Sequence, residues 1–222
     1  MKYRHFLLLF LLLLTGCKTD DDYTGKGKFS MLTGDFVELR VDSHRYGVSA
    51  VTDNAKALFF DHPVECSWAE RGDTLYRALL YYNLTDTDGH VVPQSVTPVT
   101  VLTPQALPLE QSLKADPVEF RSWWVSADRR HLNVYLGIKS GTDPALPENT
   151  RQVIGLIYTD RHPAIDGSKS LRLTLYHDRK GVPTYYTRPF YFSVPLKSRA
   201  EGDTIELSVE TFSGKQVRRL VL

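Results

Sequence analysis

Side chains that could carry out catalysis or bind a metal are spread along this 222-residue chain without a recognisable spacing. The histidines that follow the leading apolar segment show neither H-x-H nor H-x-x-x-H spacing; they lie at positions 44, 62, 90, 131, 162 and 177. H-E-x-x-H, C-x-x-C and glycine-rich phosphate-loop motifs are absent from the sequence. The segment GVSAV at 47–51 lacks the closing glycine of a G-x-S-x-G nucleophile elbow. The sequence therefore predicts no catalytic residue, no metal ligand and no cofactor.

Two polar segments come nearest to a metal-binding pattern. Asp160, Arg161 and His162 lie close to Asp166, but Asp, Pro and Gly at this point equally indicate an ordinary loop. Asp86, Asp88 and Gly89 are similar to half of a calcium loop, yet its acidic twelfth position falls on a threonine. Neither segment predicts a metal site, and an unrecognised hydrolase site stays the third functional alternative.

Cys17 is the residue whose surroundings predict a chemical modification. Nine apolar residues, Phe6–Leu14, follow a short basic start and would rise only about 14 Å as a helix, about half of a bilayer core. This length indicates a signal peptide, residues 1–16, rather than a membrane span. The following Leu14-Thr15-Gly16-Cys17 resembles a bacterial lipobox. We therefore expect the thiol and the new amine of Cys17 to be acylated, and two or more acyl chains give stable membrane anchoring.

Acidic residues follow the predicted lipidation site. Lys18, Asp20, Asp21 and Asp22 resemble the export signal that places Bacteroidetes lipoproteins on the outer face of the outer membrane. The same residues would also suit a solvated tether, residues 17–33, because such charged segments do not pack. We expect an outer-membrane lipoprotein exposed at the cell surface, and a periplasm-facing location is the alternative.

Charge and cysteine content argue against two further classes, nucleic-acid-binding proteins and proteins stabilised by disulfides. Removal of residues 1–16 takes away Lys2 and Arg4, so the formal charge falls from +1 to −1. A near-neutral chain argues against nucleic acid as a partner, because that requires clustered positive charge. With Cys17 acylated, only Cys66 is left, so no intramolecular disulfide forms. Cys66 alternates in phase with Val64 and Trp68, which predicts a small buried residue on a strand face.

Period-two alternation predicts an all-β protein. Leu132, Val134, Leu136 and Ile138 alternate with more polar residues, and similar runs recur along the chain. Five strand-like segments come early, at 35–43, 46–53, 56–68, 73–84 and 94–103, and about seven come later. Turn signals separate the runs, which together favour a sandwich or a barrel.

One segment interrupts the alternation and predicts two domains. QALPLEQSLKAD, residues 105–116, contains one proline, is flanked by two more, and shows no strand periodicity, so it is interpreted as a linker. It separates residues 34–104 from residues 117–222, and each piece is long enough to form its own core. The second piece is expected to fold alone.

The chain resembles the NigD-like lipoproteins of Bacteroidetes. The lipobox is followed by GDFVELRV and GDTLYRALLYYNLTD, and the second half contains DPVEFRSWWVSADRRHLNVYLGI and LRLTLYHDRKGVPTYYTRPFYFSVPL. The resemblance implies an N-terminal five-stranded OB-type barrel at 34–104 and a C-terminal antiparallel β-sandwich at 117–222. It brings no catalytic residues, and the family name carries an association with bacteriocin loci.

Aromatic doublets predict a contact surface. Neighbouring strand residues face opposite ways, and Trp124 is in phase with Val118 and Phe120, so Trp123 is expected on the polar face. Pairing Glu119 with Lys139 would place Trp123 opposite Tyr135 and form an outer face of Trp123, Tyr135 and Arg121. The alternative is that a neighbouring element covers Trp123.

These observations favour a non-catalytic, lipid-anchored surface lipoprotein with a binding or assembly role. Its partners would be the outer membrane, through the anchor, and a glycan or a protein. An immunity or envelope-protection protein linked to a bacteriocin system is the second alternative, and it rests on the family name.

Overall fold

The structure is a computed structural model that describes residues 32–108, 112–159, 170–196 and 201–222, and these ranges contain only strands, turns and irregular segments. The strands are β1 (Leu32–Val41), β2 (Tyr46–Thr52), β3 (Ala57–Glu65), β4 (Thr74–Leu84), β5 (His90–Pro98), β6 (Thr100–Val101), β7 (Glu119–Val125), β8 (His131–Ser140), β9 (Val153–Tyr158), β10 (Ser170–Asp178), β11 (Tyr186–Pro195), β12 (Thr204–Thr211) and β13 (Gly214–Val221). The all-β prediction is confirmed. A helix of the length and apolar character needed to cross a membrane is not found in the described ranges.

The first five strands form a closed barrel. Its strand order is β1-β2-β3-β5-β4, and β3 pairs with β5 in parallel through Phe59 and Phe60. This is the order of an OB-type barrel, as the resemblance implied. Alternation decides which side chains fill it: Val37, Leu39 and Val41 point inward and are fully buried.

Two polar or reactive side chains lie inside or at the rim of the barrel core. The Tyr82 hydroxyl donates a 2.7 Å hydrogen bond to Asp35, and burial together with this carboxylate raises the pKa of the phenol. Cys66 is fully buried, and burial raises the pKa of its thiol. Cys66 is therefore the small buried residue that was expected, although β3 ends one residue before it.

The fifth predicted strand, 94–103, is divided between the barrel and the next domain. β5 begins at His90, four residues before the predicted start, because His90 and Val91 pair with β3 and so complete the barrel. After Pro98 the chain changes partner: the amide of Val99 donates to the carbonyl of Arg77 in the barrel, and β6 pairs in parallel with β11. Sequence alternation does not reveal such a change, because both partners accept the same extended backbone.

The remaining strands form a sandwich of two four-stranded sheets. The first sheet has the order β6-β11-β8-β7 and the second has the order β13-β12-β10-β9. The core between them comprises the buried residues Val118, Leu132, Val134, Leu136, Ile138, Leu156, Leu171, Leu173, Leu175, Phe192, Val194, Leu196, Ile205, Leu207 and Val209. The alternating set of β8 lies inside, as predicted.

The described residues of the predicted linker run alongside the second sheet of the sandwich. Gln105 forms an isolated parallel bridge with Ile157 of β9, and Ala115 forms one with His177 of β10. The His177 ring, 1% exposed, has Nδ1 2.9 Å from the carbonyl oxygen of Asp116 and Nε2 2.8 Å from Gln152. These hydrogen bonds attach residues on both sides of 109–111 to the sandwich.

Candidate functional site

Several residues that the sequence singles out lie outside the described ranges. They are the lipidation site Cys17, the export residues Lys18, Asp20, Asp21 and Asp22, and the loop residues Asp160, Arg161, His162 and Asp166. The modification and export therefore stay predictions. In the described ranges, no group of three or more His, Cys, Asp or Glu side chains is arranged to hold a metal ion.

The predicted register between β7 and β8 is wrong. Ser122 lies opposite Tyr135 and Trp123 lies opposite Val134, since the register shifts between Phe120 and Ser122. A β-bulge of this kind adds one residue to a strand and reverses the facing of every residue after it. Trp123 consequently packs against the sandwich core, with its ring centroid 6.3 Å from that of Phe120.

The outer face of the first sheet therefore differs from the predicted contact surface. Trp124, not Trp123, points outward, and its ring meets Phe36 of the barrel edge to face at 5.3 Å. Tyr135 does lie on this face, and Arg121 reaches the face through its ion pair with Glu119. Two of the three predicted residues thus lie on one surface, and the third lies behind it.

A buried polar network joins the barrel to this face. Arg77 of β4, 7% exposed, forms a bidentate ion pair with Asp53, with both N–O distances at 2.7 Å. The same guanidinium donates to Asn133 at 3.0 Å and to Ser193 at 3.1 Å, which are sandwich residues. Asn133 in turn donates to Asp53 at 2.7 Å and Ser193 donates to Asn133 at 2.7 Å. Each member of the network is therefore paired, as buried charges require.

Aromatic rings border this network. The Phe36 ring lies 5.5 Å from the Arg77 guanidinium and meets Tyr191 edge to face at 5.7 Å. Tyr191 stacks on Tyr135 at 4.5 Å with the planes 18° apart. Burial, the hydrogen bond with Tyr135 and the proximity of Tyr81 raise the pKa of the Tyr191 phenol. We call Tyr81, Tyr135 and Tyr191 the tyrosine cluster; Tyr81 comes from the barrel and the other two come from the sandwich.

A cluster of charged side chains, Glu119, Arg121 and Lys139, lies on the same face near Gly137. Glu119 contacts Lys139 at 3.2 Å, pairs with Arg121 and accepts a 3.0 Å hydrogen bond from Thr187. The hydrogen bonds from Lys139 and Thr187 lower the pKa of the Glu119 carboxyl. The predicted contact between Glu119 and Lys139 is thus present, although the two are diagonal neighbours and Gly137 is the residue opposite Glu119.

His131, the first residue of β8, interacts electrostatically with Arg77 and Asp53 of the buried network. It is 9% exposed, and its Nδ1 has no hydrogen-bond partner in the described ranges. Burial lowers the pKa of the imidazole, and the Arg77 guanidinium lowers it further, against the opposing effects of Glu38, Asp53 and Asp128. His131 is therefore a neutral ring beside a cation.

We expect the free energy of unfolding to fall on acidification below about pH 6.5. Because the pKa of His131 is lowered in the folded chain, the unfolded chain binds a proton there more readily, so stability rises with pH in this range. His177, whose pKa burial also lowers, acts in the same direction. Urea unfolding between pH 7.5 and 5 would measure the slope, and His131→Gln should reduce it. A slope that is unchanged in this variant, or that has the opposite sign, would contradict the assignment.

Sequence reasoning missed the network because its signal is weak. Arg77 follows Leu75 and precedes Leu79 on the outward face of β4, where a charged residue usually faces water. Its burial depends on the sandwich face that covers this side of the barrel. Asn133 and Ser193 are likewise polar residues at outward positions, which the alternation alone places in solvent.

The comparison with protein families identifies the second domain. A family model described as the NigD-like C-terminal beta sandwich domain matches residues 98–221. The match begins before the predicted linker and includes β6, in agreement with the pairing of β6 and β11. No curated protein matches the chain in sequence.

Solved structures share the arrangement over most of the chain. A NigD-like immunity protein from Bacteroides caccae superposes with a TM-score of 0.62 at 22% identity, over 85% of this chain and 91% of that chain. A protein of unknown function from Bacteroides vulgatus gives 0.62 at 16%, over 86% and 90%. A candidate lipoprotein from Bacteroides fragilis gives 0.58 at 10%, over 86% and 97%. These superpositions show a common fold. Because the family model covers more than half of the sequence, the chain belongs to the family that carries the NigD-like C-terminal β-sandwich domain.

Proposed function

We propose that this protein is a non-catalytic, lipid-anchored lipoprotein of the cell surface that binds a protein partner through the tyrosine cluster. The observation that carries the binding role is the convergence of tyrosines from both domains at the junction. The neighbouring Glu119, Arg121 and Lys139 add charges of both signs to the same face. Tyrosine and arginine are enriched in protein interfaces, because they combine apolar area with hydrogen-bonding groups.

A protein partner suits this surface better than a glycan. Tyr135 and Tyr191 stack on each other, so each ring covers one face of the other. Tyr81 of the barrel is 37% exposed, and its charge interaction with Tyr191 is among the causes that raise the pKa of the Tyr191 phenol. The hydrogen bonds from Arg77 to Asn133 and Ser193, and from Asn133 to Asp53, hold the two domains in one arrangement. The surface is therefore formed before binding and costs little ordering entropy.

The binding role is tested with a photo-crosslinking amino acid at Ser122, which is exposed and lies opposite Tyr135. In intact cells we expect a crosslinked protein adduct at Ser122, and we expect Tyr81→Ser to abolish it. Tyr46, on the barrel and 40% exposed, provides the matched control: Tyr46→Ser should leave the adduct unchanged. An adduct that survives Tyr81→Ser would contradict the role, as would glycan-array binding that Tyr81→Ser removes.

The proposed location rests on Cys17 and on the acidic residues that follow it. Support comes from the candidate lipoprotein of Bacteroides fragilis that shares the fold. Protease added to intact cells should cleave the wild-type protein and spare a variant with Asp20, Asp21 and Asp22 replaced by alanine. Equal protection of both would exclude the export role, and a Cys17→Ala chain that still partitions into membranes would exclude the anchor.

An immunity role is the second candidate, since one solved structure of this fold is a NigD-like immunity protein. In that case the partner at the tyrosine cluster would be a toxin. A deletion strain would then lose viability in co-culture with a toxin-producing competitor, and the Tyr81→Ser chain would fail to restore it. Unchanged viability of the deletion strain would exclude the immunity role and would not affect the proposal that the tyrosine cluster binds a protein.

A further inference from the structure

We infer that the part of the β9 edge beside Gly155, which no residue of the described ranges pairs with, binds a short, extended, uncharged peptide segment of another protein by strand addition. The edge faces a cleft of about 480 Å³, a size typical of ligand sites, between β9 and the segment that crosses from β6 to Gln105. This site is separate from the tyrosine cluster and does not depend on the proposed function.

The hydrogen-bonding phase of β9 leaves one pairing position vacant. Gln105 donates to the carbonyl oxygen of Leu156 at 3.0 Å and accepts from the amide of Tyr158 at 2.9 Å. In a strand the amide and the carbonyl of one residue point to the same side, and successive residues alternate. Ile154 therefore points to this edge as well, whereas Thr159, whose amide donates to Arg172, points to β10.

The vacant position would accept one more residue in the same pattern. A residue opposite Gly155 would donate to the carbonyl of Ile154 and accept from the amide of Leu156, as Gln105 does one step further along. These two groups have no hydrogen bond across the edge within the described ranges. The β9 register with β10 accounts for the other side of the strand. Unpaired backbone groups at a sheet edge are the usual basis of peptide addition.

The position opposite Gly155 is open because the chain crosses from the first sheet to the second between Leu102 and Gln105. The amide of Leu102 still donates to Ser193 of β11, in the first sheet, and Gln105 already pairs with the second sheet. Residues 103 and 104 span the distance between the sheets, so neither lies along β9. The cleft is the space that this crossing leaves.

The lining predicts the chemistry of the peptide. Most of the lining residues have apolar side chains, including Val101, Leu102, Leu107, Val153 and Ile157, and polar atoms contribute as much of the exposed surface as apolar atoms do. No charged residue of the described ranges lines the cleft. Gly155 lacks a side chain, and a Cβ built there would meet only Tyr176, at 3.9 Å. The peptide's apolar side chains would fill this space, and a charged side chain would be desolvated without a partner.

The test uses the full chain, labelled with ¹⁵N at isoleucine and leucine, and the blocked peptide acetyl-Thr-Val-Thr-Val-amide. We expect the peptide to shift the amide resonances of Ile154 and Leu156. Two analogues carry N-methyl groups, either on both threonines or on both valines. Since strand edges alternate, one analogue should bind about tenfold or more weakly and the other should bind like the parent. Equal binding of both analogues, or no shift with the parent peptide, would overturn the inference.

A matched pair of variants locates the binding. Ala106 is exposed and lines the cleft, so Ala106→Trp should fill the space and abolish the shifts. Ala145 is exposed in the loop between β8 and β9, outside this cleft, and Ala145→Trp should bind normally. Shifts that persist in Ala106→Trp would place the peptide elsewhere and overturn the inference. The N-methyl analogues act on the unaltered chain, so they decide the question even if Ala106→Trp folds poorly.

Discussion

Replacing Arg77 by methionine should lower the free energy of unfolding by about 3–5 kcal/mol, the usual cost of removing one partner from a buried ion pair. The guanidinium donates to Asp53, Asn133 and Ser193, and these groups would lose their partner in a region where Asn133 and Ser193 are fully buried and the Asp53 side chain is 16% exposed. Methionine keeps much of the apolar stem, so the loss reports the missing charge and its hydrogen bonds. Urea unfolding at pH 7.5, with the transition midpoint and slope compared, measures it.

Two controls separate this effect from the loss of any arginine. Arg219 pairs with Glu206 on the surface and its side chain is 69% exposed, so Arg219→Met should change stability by no more than about 1 kcal/mol. Adding Asp53→Asn to Arg77→Met should recover part of the loss, because the buried carboxylate is then neutral. If Arg77→Met and Arg219→Met cost the same, the network at the junction contributes no more than a surface pair.

The strands were predictable where one physical rule decided the outcome. Val37, Leu39 and Val41 alternate with charged residues, and burial of their side chains leaves a single choice of inner face. Leu132, Val134 and Leu136 were placed in the sandwich core for the same reason, and they lie there. The OB-type strand order came from the family resemblance, since alternation does not specify which strands pair.

The junction could not be predicted, because it depends on contacts between distant segments. Arg77 lies on the outward face of the barrel strand β4, and contacts with sandwich residues such as Asn133 and Ser193 make it an interior residue. The transfer of the chain from the barrel to the sandwich at Val99 likewise leaves the alternation intact. The tyrosine cluster combines Tyr81 with two sandwich residues, so no local window of sequence contains it.

The bulge at Arg121 had the largest effect on the predicted contact surface. Both the predicted and the observed registers between β7 and β8 bury apolar residues, and the predicted register also places Glu119 directly opposite Lys139. The bulge keeps that ion pair as a diagonal contact and places Trp123 on the core side. A single added residue thus exchanges the positions of two adjacent tryptophans. Side-chain packing decides between the two registers, and alternation in the sequence carries no information about that packing.

Trp123→Ala should therefore lower the free energy of unfolding by about 3 kcal/mol, because this large, partly buried ring packs against the sandwich core. Trp124 is partly buried as well, but it lies outside the sandwich core, and its aromatic contact with Phe36 is worth about 0.5–1.5 kcal/mol beyond buried area, so Trp124→Ala should cost less. Urea unfolding of both variants under one condition gives the comparison. The register predicted from alternation alone requires the opposite order, with Trp123→Ala nearly neutral and Trp124→Ala severe. The ranking of the two adjacent tryptophans consequently tests the bulge itself, because no other feature of β7 reverses their positions.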